Sequence, residues 1–121
     1  MRDFSASRMS STKWTEVSRC LSTLNLRYHV KFVDVPDKEF DLTWLRHVTG
    51  DWFDSSFGTF TAISIEWLDI NPAEMRQGLL LKPKVINHAE KIEICLTSKS
   101  ISYFWESGQI RILGYVRNSP V

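Results

Sequence analysis

The chain has 121 residues, 43% of them hydrophobic and 24% charged, and carries a formal net charge of +1. That is enough chain for one hydrophobic core and too little for two ordinary domains, with the composition of a globular rather than a disordered protein. No apolar run reaches the roughly eighteen residues of a membrane-crossing helix, and Met1 to Arg8 lack the apolar stretch of a secretory leader, so no membrane association is expected and the cytoplasm is the expected location.

The small net charge conceals a segregation. Met1 to Val33 carries +4, Asp34 to Arg76 carries −6, and Gln77 to Val121 carries +3. Five Trp are present, and an indole N–H wants a partner, so some of them belong at a surface or an interface. Cys20 and Cys95 lie among apolar neighbours. A bridge is geometrically open to them, but without an export signal they read as buried thiols.

Residues 1–10 are polar and aperiodic, which predicts a flexible N-terminal tail. Ser11 or Thr12 can cap a first helix, in which Trp14, Val17, Leu21 and Leu24 recur at spacings of three and four. Leu26 to Phe32 then alternates: Leu26, Tyr28, Val30 and Phe32 face a core, while Arg27, His29 and Lys31 face water. Pro36, among acids, ends that strand. Phe40 to Val48 fits a short strand or an irregular excursion, and Gly50 to Gly58 reads as a loop mixing acids with large aromatics.

Thr59 to Ile70 alternates throughout and predicts one continuous strand, with Ile63, Ile65 and Trp67 in the core. Glu66 is best explained as a strand acid paired with Lys31 or Arg111. Asn71-Pro72-Ala73-Glu74 can open a short helix that Gly78 ends, and Leu79 to Leu81 form a short buried run. Asn87-His88-Ala89-Glu90 has the form of a capping box for a second long helix, with Ala89, Ile92, Cys95 and Leu96 inward. Ile101 to Trp105 and Gln109 to Arg117 flank a Ser107-Gly108 hairpin turn. Residues 118–121 are a C-terminal tail. The pattern is α+β: one domain over 11–117, an antiparallel sheet of about four to five strands with two main helices packed on one face.

Little here points to catalysis. No phosphate-binding loop or dinucleotide fingerprint occurs, and the isolated His29, His47 and His88 have no metal-ligand spacing, so neither cofactor nor metal is expected. His47 with Asp51 or Asp54, or His88 with a nearby carboxylate, is the only arrangement that could support a small enzyme by acid–base chemistry. Arg27, Lys31, Arg111 and Arg117 interleave with Tyr28, Tyr103 and Tyr115, as in single-strand nucleic-acid binders, but the acidic middle would repel phosphate. The stronger reading is a docking surface for a basic-surfaced protein. Trp44, Trp52, Phe53 and Phe57 would anchor it, and Asp37, Glu39, Asp41, Asp51 and Asp54 would supply steering charge. Nucleic-acid-degrading toxins have basic clefts, which a small acidic protein can plug.

Thr12-Lys13-Trp14, Ile65-Glu66-Trp67-Leu68-Asp69-Ile70 and Ile110 to Arg117 together resemble a family of small uncharacterised bacterial proteins, over roughly Ser11 to Arg117. These motifs are strand cores and a helix start, so the resemblance implies a fold and carries over no catalytic residue. More loosely, the chain is similar to the immunity proteins encoded beside polymorphic toxins, which implies a cognate toxin as partner.

Overall fold

The computed structural model describes residues 4–7, 9–35, 37–76 and 82–117. In chain order the elements are β1 (Phe4–Ser7), α1 (Ser11–Leu21), β2 (Arg27–Phe32), β3 (Glu39–Leu42), β4 (Leu45–Thr49), β5 (Trp52–Ser55) and β6 (Gly58–Thr61). A 3-10 turn (Ala62–Ser64) leads to β7 (Ile65–Asn71), β8 (Ala73–Arg76), β9 (Lys84–Asn87), α2 (Ala89–Ser98), β10 (Phe104–Glu106), β11 (Gln109–Leu113) and β12 (Tyr115–Arg117). The main sheet has the order β10-β11-β7-β2-β3, with every neighbouring pair antiparallel. A β4-β5-β6 meander and the β8-β9 and β1-β12 pairs complete the α+β architecture.

One core holds the two layers together. Trp14, Val17 and Leu21 of α1 and Ile92 and Leu96 of α2 pack with Val30, Leu68, Ile70, Ile110 and Ile112 from the sheet. Each such side chain contributes about 1.5–3 kcal/mol by leaving water. The alternation expected over Leu26 to Phe32 is realised in full, since Leu26, Tyr28, Val30 and Phe32 are all buried. Ser10 caps α1 by accepting from Lys13 N at 3.2 Å. The β10–β11 turn is also as the sequence implies: Ser107 (φ 52°) and Gly108 (φ 79°) both take the left-handed conformation a tight hairpin favours.

Several expectations are corrected. The supposed tail contains β1, which pairs with β12 (Ala6 with Val116, Ser7 with Tyr115), and Met9 joins the core. Thr59 to Ile70 is not one strand. It breaks at Ala62–Ser64, where Ser64 Oγ donates to Thr61 O at 2.6 Å, and β6 and β7 belong to different sheets. Ile63 sits on that turn and is exposed rather than in the core. The loop expected over Gly50 to Gly58 contains β5, whose register pairs Phe53 with Phe60 of β6. The helix expected after Asn71 is β8. Asn71 Oδ1 accepts from Ala73 N as in an Asx turn, and Ala73–Arg76 is taken up by β9. Asn87 likewise bonds Ala89 N at 2.9 Å instead of forming a capping box, and His88 holds the cap position. Gly78, Leu79 to Leu81 and residues 118–121 lie outside the described residues.

The cysteines are not thiols. Cys20 of α1 and Cys95 of α2 form a disulfide, with Cα atoms 5.8 Å apart. They come together because both helices sit on the same side of the sheet, a juxtaposition that no local spacing records.

Candidate partner-binding surface

The sheet face turned away from the helices is polar, and most of its charge is spent internally. On β7, Trp67 and Asp69 point outward while Leu68 and Ile70 point into the core. The register slips between Lys31–Trp67 and Phe32–Ile65, leaving Glu66 as an extra residue in a bulge. The bulge brings Glu66 to Lys31, whose Nζ lies 2.7 Å away; the two side chains are 12% and 7% exposed. Lys31 is thus the partner of the two that the sequence offered. Arg111 of β11 grips Asp69 with two bonds, of 2.6 and 2.9 Å, and lies 3.9 Å from the centroid of the Trp67 ring. The Asp69 bonds hold its guanidinium above its ordinary pKa despite burial.

His29 closes this lattice at its rim. Its ring stacks on Trp67 with centroids 5.6 Å apart. Nδ1 lies 2.6 Å from Asp41 Oδ1 and Nε2 lies 2.5 Å from Glu39 Oε1. Burial pushes the imidazole down, but the two carboxylates outweigh it and the pKa is raised above 6.5. With both nitrogens engaged, the ring is an imidazolium clamp on β3 rather than a base. A raised histidine contributes stability that is complete below the unfolded-state value and lost as pH climbs through the folded-state value. Stability measured by urea unfolding should therefore fall above about pH 6.5. His29→Gln should remove that alkaline decline, and an unchanged profile in the variant would contradict the clamp.

The residues singled out as partner-binding separate into groups. Glu39 and Asp41 lie on β3, the edge strand of the main sheet, with side chains 52% and 88% exposed, and Asp37 lies exposed in the turn before it. Trp44 is 43% exposed, between β3 and β4, on a groove of about 490 Å³ that also involves Arg19, Leu24, Leu45 and Arg46. Trp52 is 51% exposed on β5. Asp54 is half-buried, facing Arg46 at 3.4 Å and accepting from Ser55 N. Asp51 serves the fold instead, accepting from Ser11 Oγ at 2.5 Å while its carbonyl receives Ala62 N. Phe53 is 2% exposed, packed in the core against Phe60 and the edge of His47. Strand alternation within Trp52–Ser55 is the signal that could have separated Trp52 from Phe53.

The groups considered for catalysis are placed as follows. His47 Nε2 lies 2.9 Å from Gly50 O, and no bond joins this ring to Asp51 or Asp54. His88 does meet a carboxylate, Glu74 Oε1, at 2.9 Å. That bond, with help from Arg76, holds Glu74 below its ordinary pKa against the effect of burial. Among the described residues no hydroxyl or thiol is bonded to His88, so the pair has no nucleophile to activate. No three metal-ligating side chains converge among the described residues. Of the base–aromatic face, Lys31 and Arg111 are ion-paired, Tyr115 donates its hydroxyl to Ile63 O, and Tyr28 lies in the core with its pKa pushed up to about 12 by burial.

Fold and surface thus describe an α+β protein whose outer sheet face is largely ion-paired, with an acidic β3 edge and two exposed indoles, Trp44 just after β3 and Trp52 on β5. A family model matches residues 2–119, and the chain belongs to that family, the family of unknown function DUF6678. No curated protein and no solved structure matches it.

Proposed function

We propose that this protein is a non-catalytic binding module, an immunity protein that neutralises a cognate bacterial toxin domain through its acidic, Trp-bearing side. The observation that carries this reading is a contrast. Two bases of the outer sheet face, Lys31 and Arg111, are consumed by Glu66 and Asp69, whereas Asp37, Glu39, Asp41, Trp44 and Trp52 remain exposed. Exposed acids steer a basic partner, and exposed indoles anchor it once docked. A nucleic-acid-binding reading gains little from a face on which Lys31 and Arg111 are already paired and Arg27 is left, among the described residues, without a neighbouring base of the same kind.

Among the described residues no helix is long and apolar enough to cross a membrane. The Cys20–Cys95 bridge argues against the expected cytoplasmic location and for action in an oxidising compartment.

Co-purification with the product of the adjacent gene tests the proposal. Trp44→Ala with Trp52→Ala should weaken the complex by about 2 kcal/mol or more, the scale of a hot-spot loss. An adjacent product that forms no complex, or a complex indifferent to both substitutions, would overturn it.

A further inference from the structure

We infer that β3 is the docking edge for an extended basic strand of the partner, which adds to the main sheet and takes the carboxylates of Glu39 and Asp41 over from His29. This deepens the binding reading above and rests on it. The sheet ends at β3, and no backbone hydrogen bond joins β3 to any strand but β2 among the described residues. Its other edge, β10, is three residues long, and its Trp105 indole is already committed to Glu93. At β3 the available edge stops at Leu42, because the next amide, Thr43 N, is held by Ser56 Oγ at 2.8 Å.

Unpaired strand edges bind other strands unless something repels them. Here the repulsion is selective. Asp34, Asp37, Glu39 and Asp41 against a single Lys38 give Asp34 to Asp41 a net charge of −3, so a second copy of the same edge meets like charge. A strand whose lysines or arginines fall at alternate positions meets opposite charge at each contact.

His29 is the internal stand-in for that cation. The charged groups around its ring are Glu39 and Asp41 from β3, Asp69 from β7 with Arg111 beyond it, and Arg27 and Lys31 on its own strand. Only Glu39 and Asp41 bond the ring. Both also reach solvent, so an incoming ammonium or guanidinium can replace the imidazolium without uncovering the core.

The test uses two synthetic peptides, one alternating lysine and valine and its fully N-methylated twin, which keeps the charges and lacks every backbone donor. With the disulfide-intact protein at low salt, the first should bind and the twin should not. Glu39→Lys with Asp41→Lys should abolish binding. His29→Gln, which leaves both acids uncompensated, should tighten it several-fold. Circular dichroism identifies any variant that fails to fold. Equal binding of both peptides would overturn strand addition while leaving charge-guided docking intact. No binding by the wild type, alongside a stable complex with the adjacent gene product, would overturn β3 as the docking edge. No binding of either kind would sink the underlying reading as well.

Discussion

Gly114→Ala should cost about 3 kcal/mol of stability, at the upper end of what overpacking produces. Gly114 sits between β11 and β12, where the chain leaves the main sheet to pair with β1. Its N–H donates to Glu66 O at 2.7 Å, which draws the backbone of this crossing against the β7 bulge. A Cβ added there would stand 2.0 Å from Ile65 O and 3.2 Å from Ile65 C, and backbone, unlike the end of a flexible side chain, cannot swing aside. To accept alanine the chain must lose the Glu66 contact, the bulge that brings Glu66 to Lys31, or the β1–β12 pair. Urea unfolding of wild type and variant reads the effect directly. A change within about 0.5 kcal/mol, the range of an ordinary surface substitution, would mean that the crossing is looser than described.

Reducing the Cys20–Cys95 bridge is expected to cost about 4 kcal/mol, because the bridge closes a long loop in the unfolded chain. The two cysteines are 75 residues apart, and the bridge ties α1 to α2. Its removal leaves the helices joined by buried apolar contact and by the part-exposed Lys99–Glu16 ion pair, 3.1 Å between charged atoms. Exposed pairs contribute at most about 1 kcal/mol, so the loss is not recovered there. Thermal unfolding with and without reductant, and of a Cys20→Ala, Cys95→Ala double variant, should give the same large decrease. Indifference to reductant in a protein shown by mass to lose the bridge would contradict this estimate.

The elements whose stabilising contacts are periodic along the chain were legible beforehand. Leu26 to Phe32 has four inward residues at a spacing of two, α1 has Trp14, Val17 and Leu21 on one stripe, and the Ser107-Gly108 turn is local chemistry. The elements that escaped depend on partners far away in sequence. β1 has no pattern of its own and exists because β12 offers an edge. β8 follows a good helix-start signal that pairing with β9 overrides. The break at Ala62–Ser64 is hidden because alternation continues across it, and apart from the Ser64 bond to Thr61 O the turn is held by distant partners, Asp51 and Tyr115. The Glu66–Lys31 pair was legible as chemistry, but the bulge that makes it possible belongs to the register between two strands.

For the candidate surface the same division holds. Acidic charge between Asp34 and Arg76 was visible as a count, and Glu39 and Asp41 fall on an exposed edge. Their clamp on His29 was not visible, because it requires β2 and β3 to be paired in the observed register. Phe53 was grouped with Trp52 by adjacency, yet adjacent residues of a strand face opposite ways, and one went to the core while the other stayed in solvent.

Hydrogen exchange of the protein, free and bound to its partner, tests the central claim most directly, because it maps the covered surface without altering it. Slowed exchange concentrated in Glu39–Leu42 and Trp52–Ser55, with α2 and the β8–β9 pair unchanged, is the result expected. Protection confined to α2 or to β8 and β9, with β3 exchanging at its free rate, would place the working surface elsewhere and contradict the account.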